Sequence, residues 1–176
     1  MRWKQNPWTR HLVWLGSVIF FALVQTNWPD MLKFQEVLPD LVLVMVVYFA
    51  IAEGEERAMF TGLIGGLYQD AAVDTVMGHH VLCNVVAGYV VGRISMRLVT
   101  GHAAVKAGLV LFASLFQGVL FTLIQYVMQP QRGILYPLAT AAAPTAFYTA
   151  LVAPLLFIAL DAVCGGDDPA RRGIIA

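Results

Sequence analysis

Six apolar runs, parted by short charged or glycine-containing breaks, dominate this chain. They cover His11 to Trp28, Leu38 to Ala52, Ala58 to Val73, His79 to Leu98, Ala103 to Met128 and Pro137 to Val163. None alternates apolar with polar residues, as a membrane barrel strand would. Charged residues make up 12% of the chain and hydrophobic residues 59%, against about 25% charged in an ordinary soluble domain. A soluble domain of this length could not hide so much apolar surface. The expectation is an all-α, polytopic integral membrane protein with about six transmembrane helices. One membrane domain spans residues 11–163, flanked by cytoplasmic segments 1–10 and 164–176. The cluster Gly165-Gly166-Asp167-Asp168-Pro169 breaks the last run and is expected to fray.

Runs one, four, five and six approach or exceed the ~20 residues that cross a bilayer. Runs two and three have only 15 and 16 residues, or ~24 Å of helix against a ~30 Å hydrocarbon core. They borrow flanking residues, thin the bilayer locally, or form a partly re-entrant hairpin around the charged loop Glu53-Gly54-Glu55-Glu56-Arg57. Basic residues precede run one, but no small-x-small cleavage site follows it, so it reads as a retained helix. Six spans place Arg2, Lys4, Arg10, Arg57, Arg93, Arg97, Lys106, Arg171 and Arg172 on one side. Only Lys33 and Arg132 fall on the other, a split of nine to two. The positive side is cytoplasmic, so both termini are expected inside. Trp3, Trp8 and Trp14 flank the start of run one and Trp28 its outer end, where tryptophans favour the interface.

Charge balances at 11 basic and 11 acidic residues, which argues against a nucleic-acid partner. Cys83 and Cys164 show neither disulfide nor zinc spacing. There is no GxSxG elbow, HExxH or phosphate loop, and no cofactor is implied. His79-His80 invites a metal reading, but adjacent helical residues point about 100° apart and chelate poorly together.

The densest signal is Gly62-Leu63-Ile64-Gly65-Gly66-Leu67-Tyr68-Gln69-Asp70, followed by a turn at Gly78. Ala58, Gly62, Gly66 and Asp70 share one helical face. Asn84, Gly88 and Gly92 form a matching stripe in run four. Small residues let membrane helices approach closely, so these stripes either hold runs three and four together as an antiparallel hairpin or receive a partner helix. Asp70 and Asn84 fall near the outer end of that hairpin, where a hydrogen bond between them is expected. Pro39-Asp40 opens run two, with proline in the first turn and the acid at the positive end of the helix dipole. Gln117 with Gln125, and Ser114 with Gly118 and Thr122, form polar stripes on run five. Ala142, Ala146, Ala150 and Pro154 form a stripe of small residues on run six. All read as packing faces before they read as a solute path. Asp161, at the inner end of run six, is expected to be solvated, as is Glu55-Glu56-Arg57.

Taken together, Pro39-Asp40-Leu41, Gly62-x-x-Gly65-Gly66-Leu67-x-Gln69-Asp70, Gly78, Asn84, Gly88-Tyr89 and Gly92 resemble the rod shape-determining protein MreD family across roughly residues 10 to 162. The chain departs from the usual pattern at His79-His80, where a small or apolar pair is more common. The resemblance implies a bacterial inner-membrane scaffold, not an enzyme, in the machinery of lateral wall synthesis. It implies MreC as partner, with RodA, a class B penicillin-binding protein and, indirectly, the MreB filament. A second copy of the chain stays open as a partner. The family is also similar in fold to the substrate-binding subunits of energy-coupling-factor vitamin transporters.

Two functions follow. In the first, a scaffold docks partner helices on its glycine faces, with Gly62, Gly65, Gly66, Asp70, Gly78, Asn84, Gly88 and Gly92 as the interface and Pro39 and Asp40 at the outer mouth. In the second, a solute-binding transporter subunit lines a pocket with the polar faces of runs five and six. The second lacks, in the sequence, the convergent polar cluster such a site needs.

Overall fold

Each apolar run becomes a helix, and the helices wrap around the shortest of the runs. The computed structural model describes residues 7–27, 38–72, 77–98, 102–128 and 138–164. They form α1 (Pro7–Thr26), α2 (Leu41–Ala52), α3 (Glu55–Ala72), α4 (His79–Ser95), α5 (Ala103–Met128) and α6 (Ala143–Cys164), with a π-helical turn, Leu138–Ala142, leading into α6. No strand occurs among the described residues. Trp3, Trp28, Lys33 and Arg132, and the tail beyond Cys164, lie outside them.

Among the described residues, two segments are long and apolar enough to cross a bilayer, Ala103–Met128 and Leu138–Ala162. α2 is the opposite case. It has 12 residues, roughly 18 Å of helix, and every residue from Leu41 to Ala50 is buried. A helix apolar all round belongs in a core. α2 packs against α1, α3, α4, α5 and α6. Surrounded by protein, it does not have to match the bilayer thickness, and that explains its shortness without a re-entrant hairpin.

The break between α2 and α3 is shorter than the five-residue loop expected. The N–H groups of Glu53 and Gly54 both return to the Phe49 carbonyl, and Gly54 takes φ +94°, a left-handed cap that glycine adopts without strain. Helix α3 then begins at Glu55, so Glu55, Glu56 and Arg57 form its first turn. Glu55 and Arg57 are paired, not simply solvated, while Glu56 is exposed as expected. Glu53 receives Arg10 and Arg57, each at 2.9 Å, and Glu55 receives Arg93 at 2.8 Å. Arg57 lies 4.6 Å above the Trp14 ring, whose Nε1–H donates to Thr61 Oγ1 at 2.9 Å. Trp14 therefore docks α1 onto α3. Asp161 is exposed, as expected, and also accepts from Tyr48 O–H at 2.9 Å, tying α6 to α2.

The glycine stripes are occupied within the chain. A Cβ on Gly62 would stand 2.7 Å from the Asn84 carbonyl oxygen, and one on Gly66 2.6 Å from Val81 Cα. On the facing helix, Gly88 lies against the Ala58 backbone, and a Cβ on Gly92 would stand 2.6 Å from Glu55 Cα. Backbones this close leave no face for another helix. Gly65 packs on the Val42 side chain, closing α3 onto the core helix. Of the two roles open to the small residues, the structure favours the internal hairpin over a docking face.

Large apolar side chains point outward instead. Phe147, Leu151, Leu155 and Ile158 form a ridge on α6, each more than 60% exposed. Buried positions include Asp40, Gln69, Asp70, Asn84 and Gln117. Large apolar side chains outside, with the buried polar groups gathered inside beside an apolar core, is an arrangement a hydrocarbon solvent tolerates.

Candidate functional site

The backbone just before α2 is extended and buried, which demands partners for its polar groups. Asp40, at φ −85° and ψ 90°, is the N-cap of α2 and accepts from Leu43 N–H. Pro39 therefore precedes the helix and does not occupy its first turn. The Asp40 N–H donates to Thr149 Oγ1 at 3.0 Å. Two residues on, Val42 N–H donates to Gln25 Oε1 at 3.0 Å.

A ring of side chains closes around the Asp40 carboxylate. Gln69 Nε2 donates to Oδ1 at 3.1 Å and Gln117 Nε2 to Oδ2 at 3.0 Å. Gln117 Nε2 also donates to Asn84 Oδ1 at 2.8 Å. Asn84 Nδ2 completes the circuit on Gln69 Oε1 at 2.7 Å. Counting Gln25 and Thr149, α1, α3, α5 and α6 each bond to the start of α2, and Asn84 of α4 joins through Gln69 and Gln117. Buried polar groups are tolerated when all are satisfied, and this network draws on all five surrounding helices.

The expected hydrogen bond between Asp70 and Asn84 is not made. Asn84 bonds to Gln69, the residue before Asp70. Asp70 faces the start of α4. Its Oδ2 accepts from Gly78 N–H at 2.9 Å and Val81 N–H at 3.3 Å. Its Oδ1 accepts from His80 N–H at 3.0 Å and meets His80 Nδ1 at 2.9 Å. Gly78, at φ +100°, turns the chain so that these donors converge. Asp70 is thus the anion at the positive end of α4, with its side chain fully buried. Among the described residues no cluster of three or more His, Cys, Asp or Glu could hold a metal.

Beside the ring lies a cavity of about 290 Å³. Gln25, Asp40, Gln69, His80, Gln117 and Gln125 supply its polar wall, with Ser114, Thr122 and Thr145. Phe121, Leu38 and the small residues Gly118, Ala141 and Ala142 supply the rest. The stripes on run five, read first as packing faces, thus line a cavity. The convergent polar cluster that the sequence seemed to lack is present. It was missed because its members are scattered over six runs. One signal could have found it: four glutamines, at 25, 69, 117 and 125, each sit inside or at the end of an apolar run where an amide is costly. Of the residues singled out beforehand, Asp40 lies on the cavity and Asn84 in the ring. Gly62, Gly66, Gly88 and Gly92 lie in the hairpin seam instead.

The class this defines is an all-helical membrane protein with exposed apolar ridges and a buried polar site at the start of its central helix. The chain is matched by the family model for rod shape-determining protein MreD over residues 7–164. It belongs to that family, which is a membrane family with a role in determining rod shape. No curated protein and no solved structure matches the chain.

Proposed function

We propose that the chain is a non-enzymatic scaffold of the bacterial elongation complex, acting in the inner membrane to link MreC with the wall-synthesis enzymes. Membership of the MreD family over residues 7–164 carries this reading. In it, six helices span within residues 11–163, and both termini lie in the cytoplasm. MreC is the direct partner; RodA and a class B penicillin-binding protein follow, and MreB is reached indirectly. Because the glycine seam is filled from within, partner helices meet outward faces such as the apolar ridge of α6. The test is a mild-detergent pull-down of tagged protein from native membranes. Recovery of MreC with wall-synthesis proteins supports the scaffold.

One observation favours a second reading, a solute-binding subunit of an energy-coupling-factor type transporter: the polar cavity at Asp40 and Gln117. Recovery of an ATPase pair with a transmembrane coupling subunit, and no wall proteins, would replace the first reading with this one.

A further inference from the structure

Asp40 is a carboxylate in an unusual position. It is only 9% exposed, yet no cation among the described residues pairs with it. The described ion pairs join Glu53 to Arg10 and Arg57, Glu55 to Arg93, and Asp70 to His80. The donors to Asp40 are all neutral: the Leu43 N–H and the amides of Gln69 and Gln117. Hydrogen bonds from neutral amides satisfy the oxygens without cancelling the charge. A buried carboxylate in that state attracts a cation strongly, because its field is little screened.

The cavity beside it offers acceptor oxygens in addition to the carboxylate. Thr122 spends its hydroxyl proton on the Gly118 carbonyl, at 2.8 Å, which leaves oxygen lone pairs to offer. Gln25 presents its carbonyl oxygen to the Val42 N–H and keeps a second lone pair. Phe121 lines the same space, and an aromatic face attracts a cation. An anionic ligand would meet the Asp40 charge. A bare metal ion would leave most of a 290 Å³ space, partly walled by Leu38 and Phe121, unfilled. That volume is at the small end of ligand pockets.

We propose that this cavity binds a primary ammonium group carried on a small organic body, with Asp40 as its counter-charge. The site is independent of whether the chain acts as scaffold or transporter subunit. Two sources carry this chemistry: a water-soluble amine, or the ethanolamine headgroup of a phospholipid.

The test uses the full chain in phosphatidylglycerol nanodiscs, titrated with n-butylammonium and with n-butanol as its neutral isostere, read by saturation-transfer NMR and thermal stability. The expected result is saturable binding of the amine, at least tenfold tighter than the alcohol. Ala141→Trp fills the cavity from an exposed position without touching the hydrogen-bonded ring, and is expected to abolish binding while the protein stays folded. In parallel, nanodiscs containing phosphatidylethanolamine are examined by native mass spectrometry. Retained phosphatidylethanolamine that suppresses amine binding assigns the site to the headgroup. Amine binding with no lipid retained assigns it to a soluble amine. Equal binding of the alcohol, binding unchanged in Ala141→Trp, or no amine binding together with no retained lipid would overturn the proposal.

Discussion

Gln117 shows how much of this molecule rests on single amides. Its one –NH2 group serves two acceptors, Asp40 Oδ2 and Asn84 Oδ1, and so joins α5 to both α2 and α4. Gln117→Leu keeps most of the volume and removes both donors. Each buried acceptor left without a partner costs about 1–3 kcal/mol, so the variant is expected to unfold at a distinctly lower temperature or denaturant concentration in detergent micelles. An unchanged midpoint would mean the ring contributes little. Asp70 offers a contrast. Asp70→Asn keeps one carbonyl oxygen for the α4 N–H groups and loses the charge, which is worth about 0.3–1 kcal/mol at a helix N-terminus. Asp70→Ala loses every acceptor, and cap removal alone costs about 0.5–2 kcal/mol. The expected order of stability is wild type, then Asn, then Ala, with rod-shape complementation following it. If Asp70→Asn abolished function at nearly full stability, the carboxylate would have a task beyond capping. The sequence placed both Asp70 and Asn84 at the right end of the right hairpin. It paired them wrongly because successive helical residues differ by about 100° in direction, and spacing alone does not set the phase. Gln69, one position earlier, took the bond.

Among elements, the α3–α4 hairpin is where reading and structure agree most closely, because glycine spacing is a local code for close backbone approach. The consequence is sharp. Gly66→Ala places a Cβ 2.6 Å from Val81 Cα and 2.8 Å from Val81 N. These are backbone atoms that cannot swing aside, so the helices must part and stability should fall. Gly108→Ala, on α5, meets nothing within 4 Å. It should be neutral or gain up to ~1 kcal/mol from helix propensity. The pair is compared by thermal unfolding in the same micelle. Equal effects would contradict the close seam. The bounds of α5, Ala103–Met128, match the apolar run residue for residue. The role of α2 was less legible. Its length was read against the bilayer, but it is judged against its protein surroundings, and which helix sits in the centre is decided by long-range packing that no local pattern records. The polar ring was hidden for the same reason. Asp40 and Gln117 are 77 positions apart, and each alone looks like a cap or a packing residue.

Across the whole molecule the two ends differ in chemistry. One carries the ion pairs of Arg10, Glu53, Glu55, Arg57 and Arg93. The other carries the amides, Asp40 and the cavity. On α1 alone, Arg10 and Gln25 are separated by roughly 22 Å of helix rise, most of a ~30 Å hydrocarbon core, so the two chemistries sit toward opposite ends of the bundle. In the proposed orientation, which follows the positive-inside rule, the ionic end lies in the cytoplasm and the cavity opens outward. Cysteine accessibility tests this directly. Cys83 is buried and can remain, while Cys164 is replaced by alanine. Glu56→Cys and Gln125→Cys then introduce thiols at exposed positions near opposite ends. In cells with a permeabilised outer membrane, an impermeant maleimide should modify Gln125→Cys. Glu56→Cys should react only after the inner membrane is opened. The reverse pattern would invert the orientation and turn the cavity toward the cytoplasm, where an outer-leaflet headgroup could not reach it. Labelling of both from outside would mean the ionic end is not cytoplasmic, and would overturn the proposed six-span topology.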